Sequence, residues 1–217
     1  VGARVPQFLR SIANTLLFAL LVVPLHTALV FGMALWVNLQ FRGRVVLRTV
    51  FFAPVVTSMV VVSAIWGLML HGESGLVNQV LVAVLGAHAP QPDWLGDPRT
   101  AMLSIALMSA WQGAGFQMLI FLSGLQGISR EQYEAAQVMG ASRWQQFLYI
   151  TLPSLRRTIV FVTLATTIAA FGLFTQVDIL TGGGPQDATS TLIFHSVRVG
   201  FREQDIAYGS AMSLFFF

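Results

Sequence analysis

Four stretches of the chain carry no charged side chain, and segments with arginines or acids separate them. They cover residues 11–41, 49–72, 100–129 and 158–177. Because about 20 apolar residues form a helix long enough to cross a bilayer, each stretch predicts a membrane helix. A fifth apolar run begins near Ile206 and reaches the last residue. The pattern therefore predicts at least five membrane helices, with the last one incomplete.

The segments between these stretches predict smaller elements and an orientation. The loops after the first and third stretches hold seven of the twelve arginines. These two loops lie on the same side of the membrane if the helices alternate, and the excess of arginine predicts that this side is cytoplasmic. The long opposite loop, residues 72–99, carries Glu73, Asp93 and Asp97 and predicts a short helix over residues 76–85. The N-terminus then lies outside, which predicts a further membrane helix before it.

Composition agrees with a membrane protein and excludes several other classes. Of the 217 residues, 55% are hydrophobic and only 10% are charged, and the mean hydropathy is +0.72. Soluble domains carry about 25% charged residues, so lipid must cover much of this surface. No cysteine is present, which excludes disulfides and thiolate metal sites. The dispersed basic residues favour no nucleic-acid partner, and no paired acids, nucleophile with a base, or metal-ligand cluster predicts catalysis.

The polar segment between the third and fourth stretches, residues 127–157, predicts two short helices. Ser129 and Gln132 have the spacing of a capping box at the start of the first helix. Glu131 lies in the first turn, where the helix dipole favours an acid. Gly140 can end this helix with a left-handed residue.

The second helix of the segment has similar signals. Ser142 and Gln145 repeat the capping-box spacing, and Pro153 is expected to stop the helix. Two capped helices joined at a glycine predict a bent, rigid knob at the membrane surface, suited either to a groove on a partner or to resting on lipid headgroups. Two faces are defined, one by Tyr133, Ala136 and Gly140 and one by Trp144, Phe147, Leu148 and Thr151.

The order of residues in this segment carries a family resemblance. Glu134-Ala135-Ala136, then Gly140, then Ile150-x-Leu152-Pro153, resembles the EAA loop of ABC-importer permeases, the binding-protein-dependent transport inner-membrane components. In that family the loop forms coupling helices that sit in a cleft of the ATP-binding subunit. Met139 departs from the pattern, because many relatives have aspartate there. The resemblance implies a coupling role for Glu131, Tyr133, Glu134, Ala135, Ala136, Met139, Gly140, Ala141 and Pro153.

Other segments extend the resemblance over most of the chain. Gly75-Leu76-Val77-Asn78 looks like an outer loop of sugar permeases, and Trp111-Gln112-Gly113 looks like the lead into the EAA loop. The run from Leu180 to Pro185 resembles a glycine-rich outer loop of carbohydrate-uptake permeases. The glycines of this run could form a turn or contact a solute-binding protein; the residues concerned are Gly182, Gly183, Gly184 and Pro185.

The resemblance implies the fold, the assembly and the location. The expected fold is an all-α, multi-pass membrane bundle of the type I ABC-importer kind, in the bacterial cytoplasmic (inner) membrane. Residues 1–217 are expected to form a single permease domain, and residues 129–153 its coupling-helix loop. The expected partners are a second homologous permease subunit, two cytoplasmic ABC ATPases, an extracytoplasmic solute-binding protein and membrane lipid. We expect ATP and Mg on the ATPases and no cofactor on this chain.

Polar residues within or beside the apolar stretches are candidates for the solute pathway. Amide groups donate and accept hydrogen bonds, so they suit a solute rich in hydroxyls, although bonds between helices explain them nearly as well. These candidates are Trp111, Gln112, Gln117 and Gln176.

The titratable side chains predict no chemistry of their own. We expect His26 to be packed or hydrogen-bonded, and His71, His88 and His195 to be solvated in or near outer loops. Asp178 is expected at the membrane interface rather than in a proton relay.

Three other functions remain open at this point. A permease of the same architecture could import a glycerol-phosphate derivative or another polar solute. An ATP-independent secondary transporter would need buried pairs of acids and bases, which the apolar stretches lack. A membrane scaffold without transport is the third.

Overall fold

The computed structural model describes residues 4–39, 41–72, 74–86 and 88–216, and within these ranges the regular elements are all helical. The all-α prediction is therefore confirmed. Glu73, one of the acids used to orient the chain, lies outside the described residues. In chain order the helices are α1 Arg4–Asn38, α2 Arg44–Val56, α3 Met59–Met69, α4 Leu76–Leu85, α5 Ala101–Gln126, α6 Arg130–Val138, α7 Arg143–Gln146, α8 Leu152–Ser154, α9 Arg156–Phe171, α10 Thr175–Leu180, α11 Leu192–Val197 and α12 Ile206–Phe216.

Two helices are long and apolar enough to cross a membrane by themselves. They are α1, from Val5 to Asn38, and α5. They coincide with the first and third uncharged stretches, which confirms those two predictions. Two interrupted helix pairs, α2 with α3 and the α7–α8 segment with α9, raise the number of candidate spans to four if each pair counts as one span. The fifth predicted span is the shorter apolar helix α12.

The second uncharged stretch does not form one continuous helix. The helix is interrupted at Thr57 and Ser58, where the Ser58 backbone has ψ of 136°. Pro54 contributes to this interruption, because its missing N–H removes one helical hydrogen bond just before it. The prediction of one kinked helix is wrong at this point, because α2 and α3 are separate helices bent by 101°. The short helix predicted over residues 76–85 is confirmed as α4.

The fourth uncharged stretch is also divided. Helix α9 ends at Phe171 rather than near Val177, and α10 begins at Thr175. The last turn of α9 tightens, because Gly172 donates to the Ala169 carbonyl at 3.1 Å, three residues back rather than four. Absence of charge indicates that a stretch is apolar, but it does not detect a break in the backbone.

The chain forms two compact units. The first unit contains Val1–Val23, Thr57–Ala110 and Thr167–Phe217, and the second contains Pro24–Val56 and Trp111–Thr166. The second unit has an apolar core, in which Gly115 lies so close to α2 that a Cβ there would be 2.4 Å from the Phe51 carbonyl oxygen. The buried residues of this core are Val30, Ala34, Val37, Ala114, Met118, Phe121, Leu122, Leu125, Leu155 and Val162.

The first unit buries polar side chains against its loops. Asn78 on α4 donates to the carbonyls of Gly72 at 2.7 Å and Pro92 at 3.0 Å, and accepts from the Trp94 indole at 2.8 Å. The Asn14 amide donates to the Asp187 and Ser190 carbonyls. These bonds satisfy loop carbonyls that have no helical partner.

Candidate coupling surface and polar sites

Helix α6 begins without a side-chain cap and ends in a glycine motif. Ser129 makes no capping hydrogen bond, so the capping box predicted with Gln132 is absent. At the other end, Gly140 has φ of 80°. Gly140 donates to the Gln137 carbonyl and Ala141 donates to the Ala136 carbonyl, which is the Schellman pattern. The prediction that Gly140 ends the helix in a left-handed conformation is confirmed.

Helix α7 begins with the predicted capping box. The Gln145 backbone N–H donates to Ser142 Oγ at 3.3 Å, and the Ser142 backbone N–H donates to Gln145 Oε1 at 2.7 Å. The neighbouring Gln146 is buried, and its Nε2 donates to the Ala141 carbonyl at 2.9 Å. Sequence reasoning missed Gln146, because two consecutive glutamines at a helix start look equally exposed. Together these bonds fix the turn between α6 and α7.

Pro153 lies one residue before the second helical segment ends at Ser154, so the predicted stop is confirmed to within one residue. A wide π-helical segment, Phe147–Thr151, follows α7, and Pro153 lies in the first turn of α8 immediately after it. A proline in a first helical turn lacks only an N–H that needs no partner there. The chain then continues into α9, with a bend of 61° between the α7–α8 segment and α9.

The two helices of the segment are joined to each other and to the core of the second unit. The Tyr133 hydroxyl and Thr151 Oγ1 are hydrogen-bonded at 2.8 Å. The Phe147 ring lies 6.1 Å from the Phe31 ring of α1. Leu155, just after α8, is fully buried. These contacts connect the knob to α1 and to the start of α9.

Gly124 provides a further close contact that sequence reasoning missed. A Cβ at this position would lie 2.8 Å from Thr158 Oγ1 and 2.9 Å from a Leu155 methyl. The absence of a side chain thus lets α5 approach α9 directly below the knob. The small residue was the only available signal, and small residues are too common in membrane helices to be specific.

Large apolar side chains cover the outer surface of the knob. Val138 is 89% exposed and Met139 is 80% exposed, and Trp144 stacks on Phe147 while most of its own surface stays exposed. Large exposed apolar side chains in a polar segment are candidates for an interaction surface. We call Val138, Met139, Trp144 and Tyr149 the knob surface.

The other predicted coupling residues fall into an exposed and a buried group. Glu134 pairs with Arg130 at 2.8 Å, one helical turn away, and both side chains are solvent-exposed. Glu131 and Ala135 are also exposed, whereas Ala136 is buried against the knob. The structure thus brings all of the predicted coupling residues into one compact segment. Their role in coupling remains a prediction.

The predicted pathway residues do not form a single group within either unit. In the second unit, Gln117 Oε1 accepts from Thr166 Oγ1 at 3.0 Å and is 2.8 Å from His26 Nε2. In the first unit, Gln176 Nε2 donates to Ser109 Oγ at 3.4 Å. The amide groups of Gln117 and Gln176 therefore join helices within their own units. Trp111 is partly exposed and Gln112 half-buried, both in the second unit.

The glycine-rich loop is tightly folded. Gly182 and Gly183 have φ of 58° and 89°, in the left-handed region that favours glycine. A Cβ on Gly183 would lie 2.6 Å from the Phe194 ring. Thr189 Oγ1 donates to the Gly184 carbonyl at 2.6 Å, which closes the loop on itself. These contacts give the loop a structural role, and Gly182 is its exposed residue. The contact of Gly182, Gly183, Gly184 and Pro185 with a solute-binding protein remains a prediction.

The predicted environments of the histidines and Asp178 agree with the structure for some of these residues and not for others. His26 is buried and hydrogen-bonded, as predicted. His195 is 4% exposed, so its predicted solvation is wrong. Burial, followed by the Arg198 charge, lowers the pKa of His195. Asp178 pairs with Arg202, and both side chains keep contact with solvent.

Comparison with known proteins identifies the family. The family described as "Binding-protein-dependent transport system inner membrane component" matches residues 3–217. The chain belongs to this family. The resemblance seen in the EAA segment and in the glycine-rich loop is therefore confirmed, as are the all-α membrane fold and the importer-permease class.

Individual relatives agree with this membership. The permease is 35% identical over 210 residues to the "Probable ABC transporter permease protein YurN" of Bacillus subtilis, covering 96% of this chain and 72% of that protein. It is 35% identical over 214 residues to the "Trehalose/maltose transport system permease protein MalF" of Thermococcus litoralis, covering 97% and 70%. A solved bacterial ABC transporter for import of the acidic polysaccharide alginate matches with a TM-score of 0.85 and 25% identity, covering 96% and 73%.

Proposed function

We propose that this permease forms half of the membrane pathway of an ATP-driven importer for a carbohydrate-like solute. The family match over residues 3–217 carries the proposal. The relatives support the solute class, because one is a trehalose/maltose permease and a solved structural relative imports alginate. The other half of the pathway is a second homologous permease subunit.

The knob surface is the proposed contact with a cytoplasmic ATPase. It presents exposed apolar side chains, chiefly Val138 and Met139, on a segment that also contains the Glu134–Arg130 pair. The capping box at Ser142 and the Tyr133–Thr151 bond make the segment rigid. A rigid segment joined to α9 would pass a movement of the ATPase to the membrane helices. ATP and Mg bind and react on the ATPase subunits in this proposal.

An extracytoplasmic binding protein is the proposed donor of the solute. A solved structure of the alginate transporter is a complex with a pentasaccharide-bound periplasmic protein. Gly182, at the exposed point of the glycine-rich loop, is the residue we assign to such a contact.

The experiment reconstitutes the permease with its partner permease and ATPases in liposomes, and measures ATP hydrolysis with solute-loaded binding protein. Met139→Arg places a charge on the knob surface without filling the core, because Met139 is 80% exposed. We expect most of the ATPase to be lost during purification of the variant, and the stimulated rate of ATP hydrolysis to fall at least tenfold. The reason is that a charge buried without a partner weakens an interface strongly.

The matched control is Phe201→Arg, which is 82% exposed and lies outside the knob. It should retain the ATPase during purification. Normal ATPase binding and coupling by Met139→Arg would contradict the coupling assignment.

A screen of sugars and glycerol phosphodiesters as solutes tests the proposed solute class. Stimulation of ATP hydrolysis by glycerol phosphodiesters alone would replace the carbohydrate assignment with a permease of the same architecture for glycerol-phosphate derivatives.

A further inference from the structure

A polar cavity lies at the arginine-rich end of the second unit. Its volume is about 310 Å³, within the range of small-molecule pockets. It is bounded by the ends of three helices: the C-terminal end of α1, the N-terminal end of α2 and the C-terminal end of α5. The lining residues that matter here are Asn38, Arg44, Val45, Arg48, Leu122 and Gln126.

In the part of the chain that the structure describes, the cationic side chains of the cavity have no anionic partner. Arg44 and Arg48 are one helical turn apart on α2, so their charges are neighbours and repel each other. Within the described residues, neither side chain makes a hydrogen bond or an ion pair. Residues 24–56 and 111–130 contain no acid at all. The second unit has only Glu131 and Glu134, and Glu134 is already paired with Arg130.

Two nearby amides could add hydrogen-bond donors. Asn38 ends α1 and Gln126 ends α5, and both line the cavity with exposed side chains. The C-terminal ends of these helices also carry partial negative charge, which reduces the positive potential. Each helix end contributes about half a charge at most, so two full arginine charges leave the cavity positive.

The rest of the lining and its surroundings are apolar. Val45 and Leu122 form part of the wall. Val45, which follows Arg44 on α2 and lines the cavity, is 70% exposed, so hydrocarbon adjoins the basic site. An inorganic anion would use only the polar groups of the cavity. An amphiphile would use the arginines for its headgroup and the apolar surface for its chains.

We propose that this cavity binds the phosphate group of an anionic phospholipid. Arg44 and Arg48 hold the phosphate, Asn38 and Gln126 donate further hydrogen bonds, and the acyl chains lie against α2. Positive-inside orientation places the cavity in the cytoplasmic leaflet, where basic pockets between helices bind anionic headgroups. The site supplies the counterion that the arginines lack in the described part of the chain.

Lipid binding to the purified full chain tests the proposal. Native mass spectrometry would measure the dissociation constants of phosphatidylglycerol and phosphatidylcholine for the parent chain and its variants. We expect the parent to prefer phosphatidylglycerol. Arg44→Gln and Arg48→Gln should each reduce this preference about fivefold, since one arginine near a membrane surface contributes that much to binding an anionic lipid. Arg44→Lys should keep most of the preference.

The matched control is Arg42→Gln, which removes the same charge from the same loop but from a residue that does not line the cavity. Its lipid preference should stay within twofold of the parent. An equal loss in Arg42→Gln and Arg44→Gln would show a general surface charge and overturn the proposal. So would a parent chain without lipid preference.

Competition with inorganic phosphate distinguishes a lipid site from a site for a free anion. At the physiological ionic strength of about 0.15 M, phosphate should displace little phosphatidylglycerol, and sodium sulfate at the same ionic strength should have the same small effect. Complete displacement by phosphate, with no dependence on acyl-chain length, would replace the lipid by a soluble phosphate and overturn the lipid assignment.

Discussion

The two units of the chain satisfy their buried backbone N–H and C=O groups in different ways. The second unit is built from helices, whose backbone groups bond to one another, and its interior is apolar around Phe121 and Leu155. The first unit includes the long loop after α4 and the glycine-rich loop, and it buries Asn14, Asn78 and Thr189 against their carbonyls. The first unit thus uses buried polar side chains to satisfy irregular backbone, whereas in the second unit Gln117 bonds to Thr166 between helices.

The two units also differ in charge. Seven arginines and two acids belong to the second unit, whereas the first contains five arginines and seven acids. The excess of arginine in the second unit lies near the knob and near the cavity at Arg44. The two arginine-rich loops that predicted the cytoplasmic side thus belong to the same unit.

The largest expected effect tests the helix packing of the second unit. Gly115→Ala should lower the free energy of unfolding by about 3 kcal/mol, because the new Cβ meets the Phe51 carbonyl and the Phe52 Cα, which are backbone atoms and cannot turn aside. Thermal unfolding of the detergent-solubilised chain measures the change. Gly32→Ala is the control: nothing lies within 4 Å, so the helix should gain up to about 1 kcal/mol. Equal stabilities would show that the close contact between α2 and α5 is not required.

A somewhat smaller effect tests the polar interior of the first unit. Asn78→Ala should cost about 2 kcal/mol, because it leaves the Gly72 and Pro92 carbonyls and the Trp94 indole without this partner. Asn78→Asp keeps the acceptor for Trp94 but loses the amide donors, so it should remain destabilised. The adjacent Gln79 is exposed, and Gln79→Ala should change stability by less than about 0.5 kcal/mol. A similar loss in both alanine variants would remove the distinction between buried and exposed amides.

The smallest effect concerns pH and His195, on α11, which is not among the candidate spans. Burial and the Arg198 charge hold the pKa of His195 below 6.5 in the folded chain, although Glu203 and Asp187 oppose the shift. The unfolded chain therefore binds the proton more strongly, and stability should fall as the pH drops below 6.5 towards the lowered folded pKa. Unfolding midpoints between pH 5 and 7.5 measure this slope.

His195→Gln should flatten that pH dependence, and the control His71→Gln, at an exposed position, should leave it unchanged. A parent chain with no loss of stability in this range would contradict the burial of a neutral His195.

The knob shows which local structures can be predicted from residues that are neighbours in the chain. The spacing of Ser142 and Gln145 predicts their mutual bonds, and Gly140 predicts its left-handed turn, because both depend on neighbours in the chain. The same spacing at Ser129 predicts a capping box, but this capping box does not form. Pro153 predicts the end of the second helical segment, which comes at Ser154, but it does not predict the π-helical turn at Phe147–Thr151 before it.

The membrane class, the all-α fold, the positions of α1, α4 and α5, and the family follow from the amino-acid sequence, because hydrophobic length, arginine placement and short motifs are properties of the chain. The breaks in the second and fourth stretches, the close helix contacts at Gly115 and Gly124, and the identity of the buried polar groups became known only from the folded chain. Tertiary structure also brought Arg44, Arg48 and Gln126 around one cavity. The physical reason is that close approach and burial depend on residues distant in sequence, and no local pattern of hydrophobic and polar positions records those distances.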